Sequence, residues 1–458
     1  MKDSSSEKNK VKTKTSFSNA SELDLNLSGF YKKLRAEEVF PSINRGSIKQ
    51  VSGLVMKARL PNARLGEICT IETHSKKSIK AQVVGFDDDD VFLTPLDPLE
   101  DIGPKTPIIS RGKTLRVGVG PELLGRVINC LGEPIDHKGP INAETTYPVK
   151  HHAPEALDRK RISRILPVGV RAIDALTTIG EGQRMGVFSS AGVGKSSLLG
   201  MIARNSKADV NVVALVGERG REVLDFLEDN LGEAGLSRSV VVVSTSDEPP
   251  LRRILAAYTA TAIAEYFRDR GKAVMLLMDS VTRFGRALRE IALSLGEPPA
   301  RQGFPPSVFA ALPELLERAG STSEGSITAF YTILLSTEQI EDPLGEEIRA
   351  ILDGHLYLSS KLSYSQHFPA IDILKSNSRV MQSIVTKEHK EIAEKIKKTW
   401  SIYEENKDII SIGAYKPGSD SSIDNAINKR NSLVKFLVQA GDERDNFDVT
   451  IEKAKAIF

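Results

Sequence analysis

The run Ser189-Ser190-Ala191-Gly192-Val193-Gly194-Lys195-Ser196 combines two glycines, a lysine and a hydroxyl at a spacing suited to holding phosphates. Gly192 and Gly194 let the backbone, with Val193 between them, curl and aim successive N–H groups at phosphate oxygens. Lys195 supplies a mobile positive charge, Ser196 a hydroxyl able to ligate Mg²⁺, and Ser197 continues the same helix start. The pattern G-x-x-x-x-G-K-[ST] is met except at its first position, where Ser189 replaces glycine. A glycine-rich turn ahead of a helix is the plain alternative. Matching chemistry follows downstream. The apolar run Ala273 to Met278 ends in Asp279, as expected of a buried strand whose carboxyl end carries an acid into a nucleotide crevice, where it can meet the Mg²⁺ held by Ser196. Val212 to Val216 empties into Gly217-Glu218-Arg219-Gly220-Arg221-Glu222. Glu218 can polarise an attacking water there, and Arg219 can steady it or the phosphate. An acid in the first turn of a surface helix is the bland reading of Glu218.

Positioning these groups requires buried strands that deliver them to one edge. From about residue 113 to 385, apolar runs (Val240 to Ser244, Ala273 to Asp279, Ser326 to Leu335) alternate with helical patterns such as Leu251 to Phe267. That alternation predicts an α/β core of P-loop type, a parallel sheet covered by helices on both faces. Residues 46–112 instead show short alternating segments, 53–56, 67–71, 81–85 and 91–93, separated by Pro, Asn, Gly and Asp. They predict a small antiparallel β-barrel. From about 386 to 458 the strands stop, and Glu388 to Trp400 and Ile423 to Leu437 predict a helical C-terminal domain. Residues 1–45 begin as a basic tail with five lysines among the first fourteen positions. An amphipathic stretch follows, with Leu27, Phe30, Tyr31 and Leu34 on one helical face, suited to docking either on a partner or on its own domain.

Composition is compatible with this division. A chain of 458 residues exceeds what one core holds. The formal net charge of +2, with 27% charged residues, provides no global field directed at nucleic acid or membrane. Cys69 and Cys130 have no paired spacing, which argues against a disulfide scaffold and fits a reducing cytosol. With no long apolar run and no apolar signal core, the sequence is expected to be soluble and not exported by an N-terminal signal.

The order barrel, phosphate-loop core, helical end, with Gly217-Glu218-Arg219-x-Arg221-Glu222, resembles the catalytic subunits of rotary ATP synthases. Closer similarity lies with the type III secretion ATPases. It rests on Leu123-Leu124-Gly125-Arg126-Val127, Gly296-Glu297-Pro298-Pro299, Gly303-Phe304-Pro305-Pro306-Ser307-Val308-Phe309, Gly325 to Thr332, Ile351-Leu352-Asp353-Gly354-His355 and Ile412-Gly413-Ala414-Tyr415, and covers about residues 45 to 440. The resemblance implies hydrolysis of ATP with Mg²⁺ in a homohexamer that drives chaperone release, unfolding and export of proteins. Residue by residue it implies Lys195 and Ser196 as phosphate-loop lysine and Mg²⁺ ligand, Glu218 as activator of water, Arg219 as its phosphate-sensing neighbour, and Glu222 and Asp279 as acids around Mg²⁺ and its waters. Arg283 lines the same pocket, Phe368 and Tyr415 sandwich the adenine, and Arg379 is the arginine finger inserted into the neighbouring subunit. Read without the family, both aromatics could equally be core residues. The implied partners are a stator-like regulator at the N-terminus, a central stalk protein, chaperone–substrate complexes and a membrane export gate, at the cytoplasmic face of the membrane. Two departures stand out: residues 336–343 lack the Glu-Gly-Asp-Asp run expected before Asp-Pro, and Ser360 stands where many members have arginine.

Leu60 to Cys69 and Thr282 to Glu290 look more like injectisome members than flagellar export ATPases, which are the alternative. A noncatalytic rotary subunit fits poorly with Glu218, Lys195 and Asp279 together. An RNA-translocating hexamer would need aromatic platforms on the barrel, where residues 46–112 offer only Phe86 and Phe92 beside an acidic turn. ATP hydrolysis measured with and without RNA, and with and without exported substrate, separates these classes. Adjacent His151 and His152 point opposite ways in extended chain and do not readily chelate one metal, and Asp87 to Asp90 reads as a solvated turn.

Overall fold

The computed structural model describes residues 43–335 and 342–458; the N-terminal tail and amphipathic stretch, and positions 336–341 of the atypical loop, lie outside the described residues. Six strands close a barrel: β1 (Asn44–Ser52), β2 (Val55–Arg59), β3 (Glu67–Glu72), β4 (Ser78–Asp87), β5 (Asp90–Pro95) and β6 (Pro107–Thr114), in the order β1-β2-β5-β4-β3-β6. Alternate residues point inward, so Met56, Ala58, Cys69, Ile71, Ala81, Val83 and Leu93 form its core. β1 and β6 are not legible in the sequence, and Gly53 stands in the turn before β2 at φ 58° rather than in a strand. The Asp87 to Asp90 turn is less free than expected: Lys49 pairs with Asp90 at 2.6 Å and Lys57 with Asp87 at 2.5 Å.

β7 (Arg116–Val119) and β9 (Thr145–Pro148) form a ribbon between barrel and core. The core sheet contains β8 (Arg126–Asn129), β10 (Arg184–Ser189), β11 (Val210–Glu218), β12 (Ser239–Thr245), β13 (Ala273–Asp279), β14 (Gly320–Ser321), β15 (Ser326–Leu334), β16 (Gly354–Leu358) and β17 (Asn377–Ser378). Its order is β17-β16-β10-β15-β13-β11-β12-β8, parallel except for the two-residue strands β17 and β14, which pair antiparallel to β16 and β15. In β11 the period of two divides the strand between two cores: Val212, Ala214 and Val216 pack on one face, Val213 and Leu215 on the other.

Helices α1 (Arg171–Leu176), α2 (Lys195–Asn205), α3 (Gly220–Asp225), α4 (Gly232–Ser237), α5 (Pro250–Arg268), α6 (Val281–Ser294), α7 (Pro306–Leu316), α8 (Pro343–Ile351), α9 (Ser360–Tyr364) and α10 (Met381–Ile384) belong to this layer. α5, α6 and α7 cover one face; α1 and α2 contribute to the other. The C-terminal helices are α11 (Lys387–Ser411), α12 (Ser421–Leu437) and α13 (Phe447–Lys455). α11 runs eleven residues past Trp400, the end of the segment that the sequence pattern predicts, and α13 is not anticipated by that pattern. They are bound to the core by Arg171, whose Nε donates to Phe436 O at 2.8 Å, whose Nη2 donates to Val438 O at 2.5 Å, and whose guanidinium pairs with Glu443 and Asp445. Cys69 and Cys130 are buried and free. Among the described residues no helix is long and apolar enough to cross a membrane.

Candidate nucleotide site

The expected phosphate loop lies between β10 and α2. Gly192 at φ 78° and Gly194 at φ 87° take the left-handed conformation that their lack of a Cβ permits. Gly194 caps α2, whose first turn carries no acid, so its N–H groups and dipole remain available to an anion. Val193 is buried beneath the loop, while Ser196 and Ser197 are exposed at its mouth. Ser189, the position that departs from the motif, is fully buried, and its hydroxyl has no hydrogen-bond partner.

β11 and β13 are neighbours and deliver their terminal acids to the same place. Lys195 pairs with Asp279 and lies 3.7 Å from Glu218. Both acids are buried, at 5% exposure for Glu218 and 2% for Asp279, which excludes the bland reading of Glu218 as a surface helix-start residue. Arg283, on the first turn of α6, pairs with Glu218 as well. Burial pushes the Asp279 carboxyl above its ordinary range, the nearby Glu218 adds to this, and Lys195 opposes it. Arg219 is the N-cap of α3, its side chain largely in solvent and 3.0 Å from Glu222. A hydrogen bond shared with Glu218, then the Arg219 guanidinium, hold the Glu222 carboxyl below its ordinary range. Lys195, the pair Glu218 and Glu222, and the pair Asp279 and Arg283, from three separate stretches of sequence, thus stand together in space. The peptide between Asp279 and Ser280 is cis.

Phe368 also faces the loop, because a Cβ on Gly194 would stand 3.5 Å from its ring. Tyr415 does not join it. Phe368 O accepts a hydrogen bond from Gln439 N at 2.9 Å, just beyond the C-terminal end of α12, whereas Tyr415 Oη donates to Asp420 O at 2.9 Å, at that helix's N-cap. α12 has 17 residues and therefore spans about 25 Å. The two aromatics cannot sandwich one base; the chain segment beside Phe368 is the one holding Gln439. Arg379 is likewise remote. Its N–H donates to Asp353 O at 3.0 Å, and Asp353 N donates to Arg184 O at 3.0 Å, at the end of β10 opposite the phosphate loop. Arg184 and Ser189 are five residue steps apart along the strand, roughly 17 Å, and the Arg379 side chain is exposed.

Comparison with known proteins agrees with the fold. Residues 48–112 match the beta-barrel domain and residues 169–378 the nucleotide-binding domain of the ATP synthase alpha/beta family, and residues 385–456 match the T3SS EscN ATPase C-terminal domain. A type 3 secretion system ATPase of Xanthomonas euvesicatoria is 48% identical over 408 residues, covering 89% of this chain and 92% of the relative. The chain belongs to the type III secretion ATPase family. This secretion ATPase is equally 48% identical, over 400 residues, to a flagellum-specific ATP synthase of Bacillus subtilis, covering 87% and 91% of the two chains. The assembled EscN of enteropathogenic E. coli superposes with a TM-score of 0.86 at 45% identity, covering 90% of this chain and 99% of that one. EscN in complex with its central stalk EscO gives 0.84 at 44% identity and the same coverage.

Two residues of the secretion ATPase's site are not foreseen from the sequence. Thr332 Oγ1 donates to Asp279 Oδ1 at 2.8 Å and fixes the carboxylate from the neighbouring strand β15. Thr332 is one of three hydroxyl residues, with Thr328 and Tyr331, in the run Ile327 to Ile333, and nothing in the sequence singles it out. Gly217, at φ 68°, leaves the space in which the Arg283 stem lies: a Cβ there would stand 3.0 Å from Arg283 Cδ. Its signal is a glycine at the strand end directly before Glu218.

Proposed function

We infer that six copies of this chain form a ring in which each phosphate loop hydrolyses MgATP with Arg379 supplied by the neighbouring copy. The observation that carries this reading is the placement of Arg379, exposed and roughly 17 Å from its own loop across a sheet whose other end holds Lys195 and Glu218. An arginine there cannot serve its own chain, yet a positive charge at the transferring phosphoryl group is what such chemistry needs. EscN, 45% identical and solved in assembled form, supports an assembly of this kind.

Within one subunit the roles follow from geometry. The N–H groups at the start of α2 and Lys195 hold the phosphates. Glu218, buried and clamped by Arg283, orients the attacking water, and Arg219 stands beside it. The donor set of Ser196, Asp279 and Glu222 is oxygen only, which suits Mg²⁺ held mainly through nucleotide phosphates and waters, with Ser196 as ligand and the acids on its water shell; when bound, the ion neutralises phosphate charge. Phe368 covers the base.

The work done is export of proteins by a type III apparatus of injectisome type, through chaperone release and unfolding. The match of residues 385–456 to the EscN C-terminal domain and the likeness to the assembled EscN support a type III export ATPase. A central stalk, as in the relative solved with one, sits in the ring. Residues 1–45 dock a stator-like regulator that holds the ring at the cytoplasmic face of the membrane near the export gate. RNA is not the cargo, since residues 46–112 offer only Phe86 and Phe92 as aromatic platforms, beside the acidic Asp87 to Asp90 turn. The deciding experiment is Arg379→Ala. Nucleotide binding should persist while ring turnover falls about 10³-fold or more. Wild-type specific activity should rise with protein concentration; constant activity in a chain that stays monomeric would refute the shared site.

A further inference from the structure

Arg379 would be useless in the ring if its backbone were free to swing, and the structure pins it from one residue. Asp353 precedes β16, and its carbonyl accepts Arg379 N–H at 3.0 Å and Gln183 Nε2 at 3.2 Å. Its carboxylate is gripped by Arg184 at three points: Oδ2 accepts the Arg184 N–H at 3.1 Å and Nε at 3.0 Å, and Oδ1 accepts Nη2 at 3.1 Å. Glu317 holds the remaining arm of Arg184 at 2.5 Å. Planar guanidinium against carboxylate fixes orientation as well as distance. On the other side of Arg379, Ser378 Oγ donates to Thr178 O at 2.9 Å and accepts from Gln183 Nε2 at 3.0 Å. Gly354 permits the close pass of β17, since a Cβ there would stand 2.6 Å from Asn377 O. The backbone on both sides is therefore immobilised, and only the Arg379 side chain is left to solvent, with no ion pair among the described residues.

We propose that Asp353, clamped by Arg184, is a positioning residue that aims Arg379 into the neighbouring subunit's nucleotide site. This rests on the reading of Arg379 as acting on the adjacent copy. Arg184 opens β10, the same six-residue strand that runs into the subunit's own phosphate loop. One strand thus ties a subunit's own nucleotide at its carboxyl end to the group it lends its neighbour at its amino end.

Trans-complementation tests this. Asp353→Asn and, in parallel, Arg184→Gln are purified as full-length proteins and as mixed rings co-expressed with Lys195→Ala, which lacks its own phosphate-loop charge but keeps Arg379, Asp353 and Arg184. Each single variant should bind a fluorescent ATP analogue at its own loop within about twofold of wild type, and lose at least about tenfold in ring turnover. Mixed rings should recover several-fold over either parent, because the intact Arg379 of the Lys195→Ala copy then faces a competent loop. A purely structural defect would not be cured by a neighbour. Arg379→Ala mixed with Lys195→Ala is the reference. If that reference pair gains no activity, the trans reading of Arg379 falls. If it gains activity while the Asp353→Asn and Arg184→Gln mixtures do not, or if those variants turn over at the wild-type rate alone, the positioning role is overturned.

Discussion

Glu218 Oε1 is held by two cations at once, the Lys195 ammonium at 3.7 Å and the Arg283 guanidinium in a direct ion pair. The paired guanidinium fixes the direction in which the carboxylate faces, as a residue proposed to orient water requires.

Glu218→Gln keeps the shape of the side chain and removes its charge. ATP binding should change by less than about threefold, and phosphate release should fall by about 10²- to 10⁴-fold, the span of general-base loss. A fluorescent-nucleotide titration and a phosphate-release assay on the assembled ring read the two effects separately. Retention of half the wild-type rate would remove Glu218 from the mechanism.

Phe368 and Tyr415 should separate cleanly. Phe368→Ala removes the ring facing the loop and should weaken ATP binding by roughly 1–3 kcal/mol, about 5- to 150-fold. Tyr415→Ala removes a whole ring, but one whose hydroxyl is tied to Asp420 and Asp424 at the start of α12, away from Phe368, and should leave ATP affinity unchanged. Equal losses in the two variants would restore the shared-base arrangement that the family resemblance implies.

Arg318, fully buried, donates to both oxygens of Glu265 at 2.8 and 2.6 Å and to Val149 O at 2.8 Å. Glu265→Ala leaves this cation uncompensated and should lower stability by about 3–5 kcal/mol, whereas replacing both partners with apolar residues of similar volume should cost far less. Denaturant unfolding of both variants measures the difference.

Asp174 lies at the start of α1, where its carboxylate accepts Val168 N–H at 2.9 Å and Gly169 N–H at 2.8 Å. Burial nevertheless raises its pKa from 3.8 to about 7. The folded chain thus binds a proton that the unfolded chain has released, so this stability is complete below pH 3.8 and is lost as pH rises toward about 7. Asp174→Asn should flatten that slope. Thermal melts of both proteins between pH 5 and 8 should differ in slope up to about pH 7 and converge above it; identical slopes throughout would contradict the assignment.

What the sequence displayed follows from what burial does to composition. β11 and β13 lie inside the sheet, covered on both faces, so their runs are uninterrupted apolar and announce the acids at their ends. β1 is different: only Ile48 of its nine residues is buried, so it carries no alternation to detect. α11 continues past Trp400 as a charged, half-exposed helix whose residues favour helix without marking a face. Thr332 acts across strands, and no local pattern reports a neighbour in space. The pairing of Tyr415 with Phe368, implied by the family resemblance, is not met for a related reason: the direction in which α12 returns brings Gln439, not Tyr415, to Phe368.

That direction makes α12 a lever. One end is fastened beside the phosphate loop through Gln439 and Phe368, and the other carries the Tyr415 loop about 25 Å away. A tilt of about 10° at the Phe368 end would sweep that loop through roughly 4 Å, taking the helix as a rigid rod. Conversely, a push on the loop would reach Phe368 as a far smaller displacement, so the geometry gears a coarse mechanical stroke down to a fine one beside the phosphate loop.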